Sequence, residues 1–184
     1  MSVAPASVIP RPSPWFTWHD RWIRPGSRVL DLACGEGRHS IPAAALGAQV
    51  TAVDRDEQRL DTGRQAAERQ GVQIEWVKAD LEQPWPDFGK FDAVLVFNYL
   101  DRGRMPAVRD AVTPGGVLVM ETFLASQTEL GWGPTDPAHL LQPGELVRLV
   151  APFEVLHGRE VLEPLEANKW RAVASIVAER PRSS

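Results

Sequence analysis

The sequence predicts an α/β fold built on an open, mostly parallel sheet, and three observations support this prediction. An apolar run ends at Asp31 and is followed by a glycine turn, a helical pattern and a second apolar run that stops at Asp54. This order of strand, glycine turn, helix, strand and acid is typical of a nucleotide-binding βαβ unit. Three more apolar runs also end on polar residues, and two β-rich runs with a short connection predict a final antiparallel pair.

The first residues are expected to form a flexible tail, and the rest of the chain a single domain. Residues 1–12 hold three prolines and show no periodicity, so the tail is assigned to 1–12 and the domain to 13–184. Ser13 with Pro14 then predicts the cap and first position of a helix. Three tryptophans follow at helical spacing and are expected to share one face: Trp15, Trp18 and Trp22. That face either packs the helix against the domain or covers a cofactor.

The remaining helices and strands follow from caps, breakers and apolar periodicity. Ser40 is a candidate cap for a short helix, and Asp56 for a helix that runs to Gln70 and stops at Gly71. Further helices are predicted at 106–112 and 143–150. The predicted strands after the βαβ unit span residues 73–78, 91–97, 117–120, 153–162 and 169–179. The long polar segment 124–142 is predicted to be either functional or disordered.

The strand ends indicate where a ligand binds and what kind of ligand it is. In an open parallel sheet, ligands bind in the crevice above the carboxyl ends of the strands. Five apolar runs end on a polar residue: Asp31, Asp54, Asp80, Asn98 and Glu121. Four of these are acids, and Glu36 adds another carboxylate inside the glycine loop, so a polyphosphate would be repelled. A ligand with a ribose diol and a positive centre fits better, which indicates S-adenosylmethionine.

Composition excludes some other functions. Twenty basic and twenty-four acidic side chains give a net charge of −4, which disfavours nonspecific nucleic-acid binding. No apolar run is long enough for a membrane span, so a cytoplasmic location is expected. Cys34, the single cysteine, is expected to be a packing residue and not a nucleophile. No metal is expected, because the four histidines show no ligand spacing: His19, His39, His139 and His157.

With these motifs, the chain resembles the class I S-adenosylmethionine-dependent methyltransferases, and in particular small bacterial members related to the tellurite-resistance methyltransferases. The matching stretches are residues 31–38, 53–55, 79–81, 98–100 with Arg102, 114–116 leading to 121–123, and 141–146. The resemblance implies a Rossmann-like three-layer sandwich whose seven-stranded sheet has the order 3-2-1-4-5-7-6, with strand 7 antiparallel. It also implies S-adenosylmethionine as cofactor and S-adenosylhomocysteine as product.

The resemblance assigns roles to individual residues. The loop residues Ala33, Gly35 and Gly37, together with Asp31, are expected near the methionine part of the cofactor, and Arg38 near its carboxylate. Asp54 is expected to accept hydrogen bonds from the ribose hydroxyls, with Arg55 beside the adenine. Asp80 would accept from the adenine amino group, and Leu81 would offer a backbone amide. Asn98 is expected near the methionine end.

The acceptor side of the reaction is predicted from position alone. Asn98 and Tyr99 are expected to line the donor side of the reaction pocket, and Trp18 and Trp132 to close the acceptor side. Glu121 is a candidate base for an acceptor that carries a proton of high pKa. The acceptor is expected to be a small molecule, with no nucleic-acid or membrane partner, and the protein a monomer or homodimer. Two alternatives stay open: an NAD(P)-dependent oxidoreductase, and a module that binds S-adenosylmethionine without turnover.

Overall fold

The computed structural model describes residues 9–166 and 168–182, and within them seven strands form one sheet. The strands are β1 (Arg28–Leu32), β2 (Gln49–Asp54), β3 (Ile74–Lys78), β4 (Phe91–Phe97), β5 (Val112–Phe123), β6 (Glu154–Glu166) and β7 (Lys169–Glu179). Their order is β3-β2-β1-β4-β5-β7-β6, and β7 runs antiparallel to both of its neighbours. The predicted fold class, strand order and antiparallel last strand are confirmed.

Five helices surround the sheet in the described residues. They are α1 (Pro14–Trp18), α2 (Ser40–Ala45), α3 (Glu57–Gln70), α4 (Met105–Ala111) and α5 (Glu145–Val150). The capping predictions for α3 are confirmed: Asp56 accepts from the backbone amides of Gln58 and Arg59, and Gly71 ends the helix with a φ of 68°. The Asp56 side chain satisfies amides that a helix start would leave unpaired.

The core lies on both sides of the sheet because β1 and β4 are apolar on both faces. Leu30 and Leu32 face one side, where they belong to a buried cluster with residues of α4 and α5. Val29 faces the other side and packs in a cluster that includes Trp15 of α1. Strands buried on both faces require helical layers on both sides, which gives the three-layer arrangement.

Helix α1 is shorter than the tryptophan spacing predicted. Ser13 caps it and Pro14 begins it, as expected, but it ends at Trp18 and is followed by a separate 3₁₀ turn, Asp20–Trp22. Trp15 is 4% exposed, whereas Trp18 is 58% exposed. The prediction of one helical face for all three tryptophans was wrong for Trp22, because it lies beyond the end of the α-helix. Trp15 and Trp18 still flank one guanidinium, that of Arg159, whose Cζ lies 5.0 and 4.9 Å from their ring centroids.

Residues 9–12 and the segment 124–142 contain neither an α-helix nor any of the seven strands. Residues 1–8 of the predicted tail lie outside the described residues, while Ile9 packs against a small cluster that includes Ile41 and Ala66. The segment 124–142 contains two 3₁₀ turns, Ala125–Leu130 and Pro137–His139, and its ends are joined by a bridge between Leu124 and Leu141.

Within the described part of the chain, none of the helices combines the length and the apolar character needed to cross a lipid bilayer.

Candidate functional site

A cavity of about 470 Å³ lies above the carboxyl ends of the central strands, where the polar strand ends were predicted to meet. Its lining includes eight of the predicted site residues: Ala33, Arg38, Asp54, Arg55, Asp80, Leu81, Asn98 and Tyr99. Asp31, Gly35 and Gly37 are not part of this lining and lie behind it in β1 and the glycine loop. The parallel strands bring these residues together from positions far apart in the sequence.

Asp54 at the end of β2 fixes the shape of the glycine loop. Its Oδ2 accepts a hydrogen bond from the Gly35 amide at 2.8 Å, and its Oδ1 accepts from the Asp56 amide at 3.0 Å. A carboxylate has about four lone-pair sites, so both oxygens retain capacity for a ligand hydroxyl. Asp54 therefore couples the loop to the position where a ribose diol is expected.

Gly37 is required in the loop for two reasons. Its φ of 78° lies in the left-handed region, which side chains adopt only with strain. In addition, a Cβ at this position would lie 2.5 Å from Cη2 of Trp76. With a larger residue at this position, the Trp76 side chain would have to move away from the loop.

Two other residues of the cavity wall have the same unusual backbone conformation without being glycines. Ala33 has a φ of 55° and Asn98 a φ of 56°, and they follow the neighbouring strands β1 and β4. Left-handed conformations of non-glycine residues are costly and concentrate at functional sites. The Asn98 amide donates to the Glu121 carbonyl at 2.9 Å, which helps hold this conformation.

Asp31 is buried beneath the loop. The Ser40 hydroxyl donates to its Oδ2 at 2.5 Å. Burial raises the pKa of this carboxyl from its ordinary 3.8 to about 7, against the smaller opposing effects of the Ser40 hydrogen bond and the Arg38 charge. A cationic ligand nearby would favour the ionised form.

Two buried polar atoms in the cavity wall test whether S-adenosylmethionine fits. Among the described residues, Nη2 of Arg38 and the hydroxyl of Tyr99 have no hydrogen-bond partner. Burial raises the pKa of Tyr99 to about 12, so its hydroxyl keeps the proton and can donate. Unpaired buried donors are rare in folded proteins. A ligand with a carboxylate for Arg38 and an acceptor for Tyr99 would complete the wall, as S-adenosylmethionine can.

His39 is a cavity residue that the sequence reasoning did not assign to the site. Its ring stacks on Phe97 with a centroid distance of 3.8 Å, and its Nε2 accepts from the Ser13 amide at 3.1 Å. Burial lowers the pKa of His39 well below its usual 6.5, which agrees with a neutral ring that accepts at Nε2. Because His39 directly follows Arg38, a predicted site residue, its place in the sequence could have indicated that it lies in the site. Pro10, Phe97 and His139 also line the cavity.

Glu121 lies outside the cavity lining and is 0% exposed. Oε1 accepts from the Ser13 hydroxyl at 2.6 Å and from Arg171 at 3.0 Å. Oε2 accepts from the Ser175 hydroxyl at 2.8 Å and from Arg159 at 3.3 Å. The carboxylate thus has four donors, which satisfy a charge that burial would otherwise make costly.

The two tryptophans predicted for the acceptor side are also absent from the cavity lining. The Arg159 guanidinium lies over the Trp18 ring, with its Cζ 4.9 Å from the ring centroid. Trp132 donates from its indole nitrogen to the Trp170 carbonyl at 2.7 Å, which ties the segment 124–142 to β7. Their acceptor-side role stays a prediction.

The remaining candidates for chemistry are few. Cys34 is buried, and burial raises the pKa of its thiol, so the thiolate is disfavoured. In residues 9–166 and 168–182, no three His, Cys, Asp or Glu side chains are grouped as metal ligands would be.

The chain is similar in sequence and in fold to known methyltransferases. A methyltransferase-domain family model matches residues 29–116. The chain is 30% identical over 168 residues to a ubiquinone biosynthesis O-methyltransferase of Methylocella silvestris, covering 79% of this chain and 65% of the relative. It is 35% identical over 112 residues to the ribosomal protein L11 methyltransferase of Thermus thermophilus, covering 60% and 44%. The chain therefore spans less than two thirds of the length of these curated relatives.

Solved structures show the same fold. TehB from Haemophilus influenzae superimposes with a TM-score of 0.73 at 21% identity, covering 89% of this chain and 60% of that one. Magnesium protoporphyrin IX methyltransferase from Synechocystis, solved with bound S-adenosylhomocysteine, gives 0.69 at 20% identity, covering 90% and 78%. Together, the family model over residues 29–116, the sequence relatives and the shared fold show that the chain carries a methyltransferase domain of the kind that uses S-adenosylmethionine as its cofactor.

Proposed function

We propose that this protein transfers a methyl group from S-adenosylmethionine to a small nucleophilic acceptor. The observation that carries the proposal is the cavity above the strand ends, whose lining combines Asp54 with Arg38 and Tyr99, two residues that each hold a buried polar atom without a hydrogen-bond partner. When bound, the cofactor supplies a methyl group that is already activated by its sulfonium sulfur. No acid is then needed for the leaving group, so the side chains have to bind, align and exclude water.

The proposed cofactor contacts are those that the family resemblance implies for residues of this cavity. Asp54 holds the ribose hydroxyls, and Arg55 lies beside the adenine. Asp80 accepts from the adenine amino group, next to the Leu81 amide. At the opposite end, Arg38 pairs with the carboxylate.

The methionine end of the cofactor is proposed to lie over the strained positions Ala33 and Asn98. Their left-handed backbone places the ends of β1 and β4 in a conformation that costs free energy without a ligand. Asp31, Gly35 and Gly37 support this end from behind the lining. Tyr99, which follows Asn98, keeps a free hydroxyl for a ligand acceptor atom on the donor side.

The surroundings of Glu121 favour an acceptor that is ionised before it binds. To act as a base, Glu121 would have to give up at least one of its four hydrogen-bond donors, two of which are arginines. A soft thiolate or selenolate needs no base. We therefore propose such acceptors first, and keep Glu121 as a base only for acceptors of high pKa.

The names of the relatives do not assign the acceptor, since one refers to ubiquinone biosynthesis and the other to a ribosomal protein. We propose a small molecule and no nucleic acid, in line with the net charge of −4, and a monomer or homodimer. A cytoplasmic location stays a prediction from the sequence.

The alternatives differ in testable ways. In an NADP-dependent enzyme, Arg55 would be a candidate partner for a 2′-phosphate, but here it lies 3.4 Å from the Glu82 carboxylate. A binding module without turnover would share every cofactor contact, so only an assay separates it from an enzyme.

The test is a screen of thiol, selenol, amine and oxyanion acceptors in which release of S-adenosylhomocysteine is measured. We expect turnover with thiols or selenols, at rates well above those with amines. The same assay with Arg38→Lys tests the proposed contact to the cofactor carboxylate. This variant keeps the positive charge but loses the planar guanidinium, and it should raise the KM for the cofactor. Tight cofactor binding with no product from any acceptor class would favour the non-catalytic module instead.

A further inference from the structure

The N-terminal segment, residues 9–22, contributes one residue to the lining of the proposed cofactor cavity. Pro10 lines the cavity directly. Ile9, which precedes Pro10, packs against the apolar cluster formed by residues of α2 and α3. On the other side of Pro10 the chain enters α1, where the Trp15 indole donates to the Ile176 carbonyl of β7 at 3.2 Å. The segment is thus attached at both ends of its passage across the site.

Ser13 is the point where this segment meets the site. Its amide donates to Nε2 of His39, a cavity residue, and its hydroxyl donates to Oε1 of Glu121. The same hydroxyl oxygen accepts from the Trp15 amide at 3.1 Å and so caps α1. Ser13 is 2% exposed, so water cannot easily replace these partners. One short side chain therefore joins the start of α1, the cavity wall and the buried carboxylate.

The wall behind His39 also depends on α1. His39 stacks on Phe97, and Phe16 of α1 packs on both rings, with centroid distances of 5.4 Å to His39 and 6.4 Å to Phe97. If α1 moved away, His39 would lose its partner at Nε2 and one of its two aromatic neighbours. The shape of the cavity at His39 is thereby linked to the docking of the N-terminal segment.

We propose that Ser13 is a positioning residue for the cofactor site, and that docking of the N-terminal segment through Ser13 and cofactor binding stabilise each other. The inference rests on the proposed cofactor-binding function. It extends that function to residues that lie upstream of the glycine loop, outside the stretches that match the methyltransferase family. Because linkage is reciprocal, a ligand that contacts the docked segment must also hold that segment in place.

The first experiment needs no variant. Amide hydrogen exchange of α1 is measured with and without saturating S-adenosylhomocysteine. We expect the ligand to slow exchange at Trp15 and Thr17 about threefold or more, because their amides are protected only while the segment is docked. The amide of Gly71, at the far end of α3, serves as an internal control and should not respond.

The second experiment compares Ser13→Ala with Thr17→Ala. Ser13→Ala removes the hydroxyl from Glu121 and the cap from α1, and should raise the Kd for S-adenosylhomocysteine about three- to tenfold, the factor that a net hydrogen bond supplies. Thr17 is exposed on the same helix, and the one hydrogen bond of its side chain is a long one, from the hydroxyl to the Ser13 carbonyl at 3.4 Å. Thr17→Ala should keep the Kd within about twofold, which is less than the change expected from losing one net hydrogen bond.

The outcomes separate this inference from the proposed function. Failure of the unmodified protein to bind S-adenosylhomocysteine overturns both. Binding by the unmodified protein, together with unchanged α1 exchange and an unchanged Kd in Ser13→Ala, overturns the positioning role alone. A lower melting temperature of Ser13→Ala with an unchanged Kd also counts against it, since it would show that Ser13 only stabilises the fold.

Discussion

At the residue scale, Asp54 has two roles that a single substitution would affect together. It holds the loop through the Gly35 amide and faces the cavity where the ribose diol is proposed. We expect Asp54→Ala to weaken S-adenosylhomocysteine binding roughly ten- to a hundredfold, because charge-assisted hydrogen bonds contribute about 1.5–3 kcal/mol. Titration calorimetry measures the affinity, and a melting curve measures the accompanying loss of stability.

The control for Asp54→Ala is Asp56→Ala. Asp56 caps α3 and lies outside the cavity lining, so its loss should cost about 1 kcal/mol of stability and leave the affinity within about twofold. If both variants lower stability and neither changes the affinity, Asp54 is only a structural residue.

Asp31 gives a prediction about pH. Its pKa in the folded protein is raised from 3.8 to about 7 by burial. Between these values the unfolded chain loses the proton while the folded protein keeps it, so this group's contribution to stability falls as pH rises from about 4 to about 7. Asp31→Asn cannot ionise and should show a flatter dependence of melting temperature on pH. Parallel curves for the two proteins would contradict the assignment.

The sequence predicted part of this site, and the reasons are physical. Asp54, Arg38 and Asn98 belong to short motifs at strand ends, where local pattern and sheet topology fix position. The network around Glu121 could not be predicted, because its donors come from α1, β6 and β7, up to 108 positions away in the sequence. No local pattern encodes which distant side chains will surround a buried acid.

At the element scale, the glycine loop can be compared with the end of α3. Gly37 and Gly71 both have positive φ, 78° and 68°, but a Cβ on Gly71 would meet nothing within 4 Å. We expect Gly71→Ala to cost about 1–2 kcal/mol from backbone strain alone. Gly37→Ala should cost clearly more, because the added Cβ also meets Trp76. Equal losses in chemical unfolding would show that the contact with Trp76 relaxes freely.

The segment 124–142 is held to the rest of the molecule by Arg102. Its guanidinium donates to both carboxylate oxygens of Glu145, at 2.6 and 3.0 Å, and to the carbonyls of Ala138 and Leu140, at 2.8 Å each. Arg102→Ala should lower stability by about 1–2 kcal/mol and speed amide exchange around Leu140, since several hydrogen bonds to a partly exposed side chain are lost together.

Arg104→Ala is the matched control for Arg102→Ala. Arg104 donates from its side chain to a single carbonyl, that of Glu82, and should leave exchange around Leu140 unchanged. Similar exchange in Arg102→Ala and the unmodified protein would show that the segment is held by its other contacts.

Elements with strong local signals were predicted well. Asp56 and Gly71 bound α3 as expected, and the apolar run at 91–97 coincides with β4. The failure was α1, where tryptophan spacing suggested a continuous helix and the chain instead turns at His19. Ser13 and Trp15 at the start of this segment contact distant residues, Glu121 and Ile176, and spacing within a short segment carries no information about such contacts.

At the scale of the whole molecule, the parallel strands β1, β2 and β4 all end at the same edge of the sheet, while β7 and β6 are added laterally, next to β5. The glycine loop, the acids and the strained residues Ala33 and Asn98 meet at that edge because parallel strands share a direction. The N-terminal segment adds Pro10 to the lining of this site. Sheet topology, and not any single motif, therefore assembles the cofactor site.

The most direct test of the cofactor assignment is a comparison of melting temperatures with three ligands. At a hundredfold excess over its Kd, S-adenosylhomocysteine should add about 2.7 kcal/mol of stability and raise the melting temperature by about 5–10 °C. NADH and NADPH at the same concentration should change it by less than about 2 °C, which for a chain of this size is under about 1 kcal/mol. A larger shift with either nicotinamide than with S-adenosylhomocysteine would contradict the assignment.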